Sequence, residues 1–162
     1  MTQHRQHNEA VLETLEEGDL VEFYRTYITH WGVYVGGGKI VHLCIDERSH
    51  EAGVKKEDFW SVAEKSRVEK NNGKDDCPFT KAVVKERALL SLGRSAYDIL
   101  KYNCEHFANW CRYGKIQSAQ ADSVSERTGI VGKIERSVCW SFSSNIRSSI
   151  SPSESNSSNS QG

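Results

Sequence analysis

The chain has 162 residues, enough for one domain with a real core and a loose end to spare. Its 21 basic and 22 acidic residues are interspersed and leave a net charge of −1, so there is no electrostatic footprint for nucleic acid. The stretch from Met1 to His7 is polar and lacks the apolar core of a signal peptide, and no run approaches the roughly 18 apolar residues of a spanning helix, which predicts a cytoplasmic protein whose five cysteines are thiols.

Residues 1–17 read as a flexible N-terminal segment, with His4 and His7 in a disordered end and a turn of helix over Ala10 to Glu17. Gly18-Asp19 then punctuates the chain, and Leu20 to Tyr24 is an apolar, β-rich run that reads as a strand. His30-Trp31-Gly32-Val33-Tyr34-Val35 and Lys39-Ile40-Val41-His42-Leu43-Cys44-Ile45, separated by three glycines, form a predicted hairpin. Its register decides whether chemistry is possible. A two-residue loop of Gly37-Gly38 puts His30 and His42 on opposite faces, whereas a three-residue loop of Val35-Gly36-Gly37 sets Tyr34 against Gly38 and His30 directly opposite His42. The second register is the expected one, because it also groups Trp31, Val33, Val35, Val41 and Leu43 on one core face.

Asp46 to Glu57 is charged and reads as loop, Asp58-Phe59-Trp60 as an aromatic anchor, and Ser66 to Glu69 as a short strand before the turn-rich Asn71 to Asp76. Thr80 to Leu92 has a capping threonine, an apolar stripe of Val84, Ala88, Leu89 and Leu92, and a terminating Gly93, the marks of a helix. After a link containing Tyr97 and Ile99, Asn103 to Gly114 reads as a second capped helix. Residues 117–162 are polar, serine-rich and mostly disordered in this reading. Within them Ile130, Val131, Ile134 and Val138 share the face of a short amphipathic helix over 130–142, for which packing on the domain or staying unstructured outweighs resting on a membrane.

The second capped helix carries the chemistry. Cys104 falls in its first turn, where unpaired amides and the helix dipole favour thiolate, so it is the candidate nucleophile and is expected to have a lowered pKa. His106 lies two residues on, about 200° around the helix, and cannot serve the sulfur. With His30 and His42 on one face of a hairpin, the pieces suit a cysteine nucleophile, a histidine base and a third orienting group; ordinary packing roles stay open beside that reading. No two of Cys44, Cys77, Cys104, Cys111 and Cys139 form a Cys-x-x-Cys pair, so no structural metal is expected.

The strings Asn103-Cys104-Glu105-His106-Phe107 with Arg112-Tyr113-Gly114, His30-Trp31-Gly32-Val33-Tyr34-Val35-Gly36 and Val41-His42-Leu43 closely resemble the lecithin:retinol acyltransferase-like family, nearest to its phospholipase A and acyltransferase branch, the HRAS-like suppressors. The resemblance covers roughly Gly18 to Gly114. It implies an α+β fold, an antiparallel sheet packed against the helix that carries the cysteine, resembling a circularly permuted papain-like domain over residues 18–116. By motif it implies Cys104 as nucleophile, His30 as general base and His42 as orienting histidine. It further implies a metal-independent phospholipase A1/A2 and acyltransferase that needs no cofactor, acts on glycerophospholipids through a thioester and touches membranes transiently. Asn71-Asn72 with Asp75-Asp76 looks like the phospholipase branch, while Arg25-Thr26 and Cys111-Arg112-Tyr113-Gly114 look more like retinol acyltransferase. Ile28 departs from the phospholipase branch, which often carries a tyrosine two residues before the first histidine, and no hydrophobic anchor closes this sequence. Retinol O-acylation, cysteine peptidase activity and a non-catalytic regulatory module are the alternatives.

Overall fold

In the computed structural model the described residues are 4–45, 48, 51–73, 77–94 and 103–114. The expected amphipathic helix over 130–142, the tail from 117 and the link containing Tyr97 and Ile99 lie outside them. The elements run α1 (Arg5–Thr14), β1 (Leu20–Tyr24), β2 (Thr29–Tyr34), β3 (Lys39–Ile45), β4 (Ala52–Asp58), α2 (Phe59–Ala63), β5 (Arg67–Lys70), α3 (Lys81–Leu90) and α4 (Cys104–Tyr113). The strands form one antiparallel sheet in the order β4-β3-β2-β1-β5, giving the α+β architecture. No helix among the described residues is long and apolar enough to cross a membrane.

The sheet is covered on both faces, as its period-two pattern requires. Val21, Phe23, Ile40 and Val68 on one face form a cluster with Leu15, Phe59, Val62 and Ala63. Trp31, Val33, Val35, Val41 and Leu43 are buried on the other, and α3 and α4 pack against β2 and β3. Thr80 caps α3, accepting from the amide of Val83 at 3.3 Å. The helix ends at Leu90, two residues before the expected end, and Leu92 is exposed.

Three expectations from the sequence are corrected. The N-terminal segment is not a loose end with a late turn of helix. It forms α1 from Arg5, and Asn8 is buried because its amide both donates to Ser66 O at 2.9 Å and accepts from Val68 N at 3.0 Å. His7, expected to be disordered, has Nε2 3.0 Å from Val68 O. Second, the charged run before Asp58 is not all loop: Ala52–Asp58 is β4, an edge strand, where lysines and glutamates are an ordinary protection against further pairing. Third, the hairpin loop is Gly36-Gly37-Gly38, all three at positive φ, closed by a bond from Val35 N to Lys39 O at 3.0 Å. Glycine alone tolerates three such residues in succession without strain. The register is therefore two residues away from the expected one, and the residue opposite His42 is Gly32. A shift of two preserves the faces, so His30 and His42 still share a side, but diagonally.

Candidate active site

Gly32 decides how the two histidines meet. With no side chain opposite it, His42 reaches along the diagonal, and His30 Nε2 lies 2.7 Å from His42 Nδ1, with the rings edge to face. The fit is close: a Cβ on Gly32 would stand 2.4 Å from Ile40 Cγ2 and 3.4 Å from His42 Cβ. Phe23, opposite His30 on β1, packs against the first imidazole. His42 Nε2 in turn lies 2.7 Å from Glu57 Oε2, a residue of β4.

These contacts give the chain of hydrogen bonds a direction. A carboxylate only accepts, so neutral His42 donates from Nε2 to Glu57 and offers the Nδ1 lone pair to His30. His30 then carries its proton on Nε2 and keeps an unprotonated Nδ1, the atom a general base needs. Both rings are held neutral. Burial, with the nearby charges of His42 and Arg25, takes His30 down to about 3, and burial also lowers His42 although Glu57 opposes it.

Cys104 is placed by the start of α4. Asn103 accepts from His106 N at 3.0 Å, and His106 Nδ1 accepts from Asn103 N at 3.1 Å, so the histidine two residues past the cysteine completes a reciprocal capping box. Gly114, at φ 68°, closes the other end in the left-handed conformation. The ladder between β2 and β3 runs from Gly32 opposite His42 to Tyr34 opposite Ile40, and α4 packs against both strands. Cys104 Sγ lies 3.9 Å from the carbonyl oxygen of Thr29, the residue before His30. The structure thus joins His30 to His42 directly and brings the sulfur to the neighbouring backbone, with no hydrogen bond between Sγ and His30 among the described residues.

The expected lowering of the thiol pKa does not occur. Cys104 is 2% exposed, and burial pushes it up to about 11; the amides of Trp31, Glu105 and Cys104 itself act the other way but are outweighed. At neutral pH the thiol and both imidazoles are uncharged.

Glu57 is the site residue that sequence reasoning missed. Its signal was faint, since a strand of lysines and acids looks like loop until it is paired with β3. A cavity of about 390 Å³ opens beside it, lined by Arg25, His42, Cys44, Lys55 and Glu57 among others; neither His30 nor Cys104 is among its lining residues.

A family model, lecithin retinol acyltransferase, matches residues 13–117. The chain is 34% identical over 131 residues to phospholipase A and acyltransferase 3 of Homo sapiens, covering 71% of this chain and 81% of that one. It is 33% identical over 129 residues to phospholipase A and acyltransferase 2 of Homo sapiens, covering 70% and 80%. It is 28% identical over 148 residues to lecithin retinol acyltransferase of Bos taurus, covering 75% and 64%.

Proposed function

Because this chain belongs to the lecithin retinol acyltransferase family, we propose that it is a thiol-dependent phospholipase A and acyltransferase acting on glycerophospholipids, with Cys104 as nucleophile, His30 as general base and His42 as the group that orients it. The observation that carries the reading is the directed chain from Glu57 through His42 to His30, beside a helix whose first residue is a cysteine.

Substrate binding exchanges the sulfur's contact with the Thr29 carbonyl for one with His30 Nδ1, a tightening common when a catalytic site fills. His30 takes the thiol proton as Sγ attacks the ester carbonyl, and the resulting imidazolium is stabilised by the Nδ1 of His42 and, through it, by Glu57. Amides at the start of α4, that of Cys104 included, hold the oxyanion. Collapse releases the lysophospholipid alkoxide, which collects the proton from His30 and leaves a thioester on Cys104. Water then yields a fatty acid; the amine of phosphatidylethanolamine or a hydroxyl acceptor yields an acyl transfer product. Contact with a lipid surface is supported by the β1–β2 loop, where Tyr27 is 95% exposed and Ile28 40%, just ahead of the Thr29 carbonyl that touches the sulfur.

The test is intact-mass analysis of protein exposed to phosphatidylcholine. An acyl adduct mapping to Cys104, absent in Cys104→Ala, is expected. A Cys104→Ala protein that still turned over the lipid would defeat the assignment. Adding phosphatidylethanolamine or retinol in the same assay separates N-acylation from retinol O-acylation, the activity named for the bovine relative.

A further inference from the structure

We propose that His42, Cys44 and Glu57 form a site for a thiophilic divalent cation, Zn²⁺ by its chemistry, and that filling it switches off the proton chain of the neighbouring histidines. A ring nitrogen of His42, Sγ of Cys44 and a carboxylate oxygen of Glu57 all lie within 4.8 Å of one another, and Nε2 is the nitrogen turned to Glu57, 2.7 Å from its Oε2. Metal–ligand bonds of about 2.0–2.3 Å in a tetrahedron put donors roughly 3.3–3.8 Å apart, so small side-chain adjustments suffice. The placement follows from the sheet. His42 and Cys44 are two apart on β3 and share a face, while Glu57 comes from β4 on that face, opposite Ile40. Opposite Cys44 stands Gly53, which puts no side chain against the sulfur. Imidazole, thiolate and carboxylate together suit a borderline cation better than magnesium or calcium. The cavity beside these three residues gives the ion an entrance and a fourth, solvent position. Arg25, Arg48 and Lys55 also line it; the filled site, Zn²⁺ with one thiolate and one carboxylate, is neutral, one charge more positive than the resting thiol and carboxylate.

The regulatory half of the proposal rests on the acyl-transfer reading, and the binding half does not. A metal on His42 needs the Nε2 lone pair, so that proton leaves Nε2 and the ring carries its proton on Nδ1 instead. Nδ1–H now donates to His30 Nε2, which must present a lone pair, so His30 carries its own proton on Nδ1. Each ring keeps one proton, Cys44 releases one to solvent, and Nδ1 of His30 can no longer accept from Cys104. The metal inhibits through two tautomers without touching the nucleophile.

The full chain, wild type and Cys44→Ala, is titrated with Zn²⁺ against a chromophoric chelator, and with Co²⁺ for its thiolate charge-transfer band. One equivalent is expected to bind with release of a proton. Affinity should fall by more than about a hundredfold in Cys44→Ala, since outer-shell partners alone are worth roughly tenfold to a hundredfold. The cobalt band should vanish in Cys44→Ala and persist in Cys104→Ala. Binding unchanged by Cys44→Ala, or a band lost only with Cys104, overturns the site. In the second arm, Cys44→Ala keeps basal lipid turnover and loses inhibition by Zn²⁺. Equal inhibition of both proteins overturns the switch even where binding holds. Metal binding in a protein that turns over no lipid would sink the acyl-transfer reading and with it the switch, but not the site; lipid turnover without metal binding would sink this inference and leave the activity standing.

Discussion

Replacing Glu57 by glutamine tests the direction of the proton chain. The carboxylate sits 2.7 Å from Nε2 of a histidine that is 3% exposed, while its own side chain is 44% exposed. A hydrogen bond to a charged acceptor contributes roughly 1.5–3 kcal/mol and a neutral one roughly 0.5–1.5 kcal/mol. Half exposure to water places the loss near the low end, about 1 kcal/mol. The amide can also turn its NH₂ toward His42, offering the ring the opposite tautomer and unseating the base on His30. The expected result is a fall of about fivefold to tenfold in kcat/KM for acylation of Cys104, since about 1.4 kcal/mol is tenfold. Glu57→Ala, which leaves only water, should lose roughly thirtyfold. The assay is single-turnover acylation followed by intact mass, beside urea denaturation to show that β4 still pairs. If both variants acylate within about twofold of wild type while remaining folded, the carboxylate does not direct the histidines.

Other outcomes follow from the same geometry. Gly32→Ala should destabilise by about 1–3 kcal/mol through overpacking against Ile40, whereas Ile40→Ala alone should cost about 2–5 kcal/mol. In urea melts the double variant should cost clearly less than the sum, and simple additivity would contradict the contact. Alkylation of Cys104, followed by peptide mass, should speed up about tenfold per pH unit to pH 10 or so, because burial holds the thiol up to about 11; a plateau below about pH 8 would reveal a preformed thiolate. The folded state keeps a proton that the unfolded chain gives up near the ordinary value of 9.0, so stability from this group is present below that pH and is lost as pH rises toward 11. Asn103→Ala should lower stability by about 1 kcal/mol and Asn103→Asp by much less, since aspartate still accepts from the His106 amide.

Signals that act over a few residues were legible in the sequence. Asn103 and Gly114 announced both ends of α4, and the glycine run announced the hairpin. What the sequence concealed were properties set by other elements. Three consecutive glycines mark a turn without saying which residues open and close it, and only the pairing of Gly32 with His42 resolves that. β4 has too many charges to look like a strand, so Glu57 stayed hidden until β3 supplied its neighbour. The first-turn position of Cys104 argued for a thiolate, but the sheet packed around it removes the water that would stabilise one. The capping box was hard to see because its third-position partner is histidine rather than the usual glutamate or glutamine.

The side chains that α1 lays on β5 act as a substitute strand. Asn8 and His7 meet the outward amide and carbonyls of Ser66 and Val68, groups that an open sheet border would otherwise present to any passing polypeptide. Clipping the first dozen residues, as a purification strategy aimed at tidier crystals would do, removes the plug from that border. The trimmed protein would then be prone to join copies of itself strand to strand, and a loss of yield or activity would trace to self-association rather than to any part of the N-terminus in the chemistry.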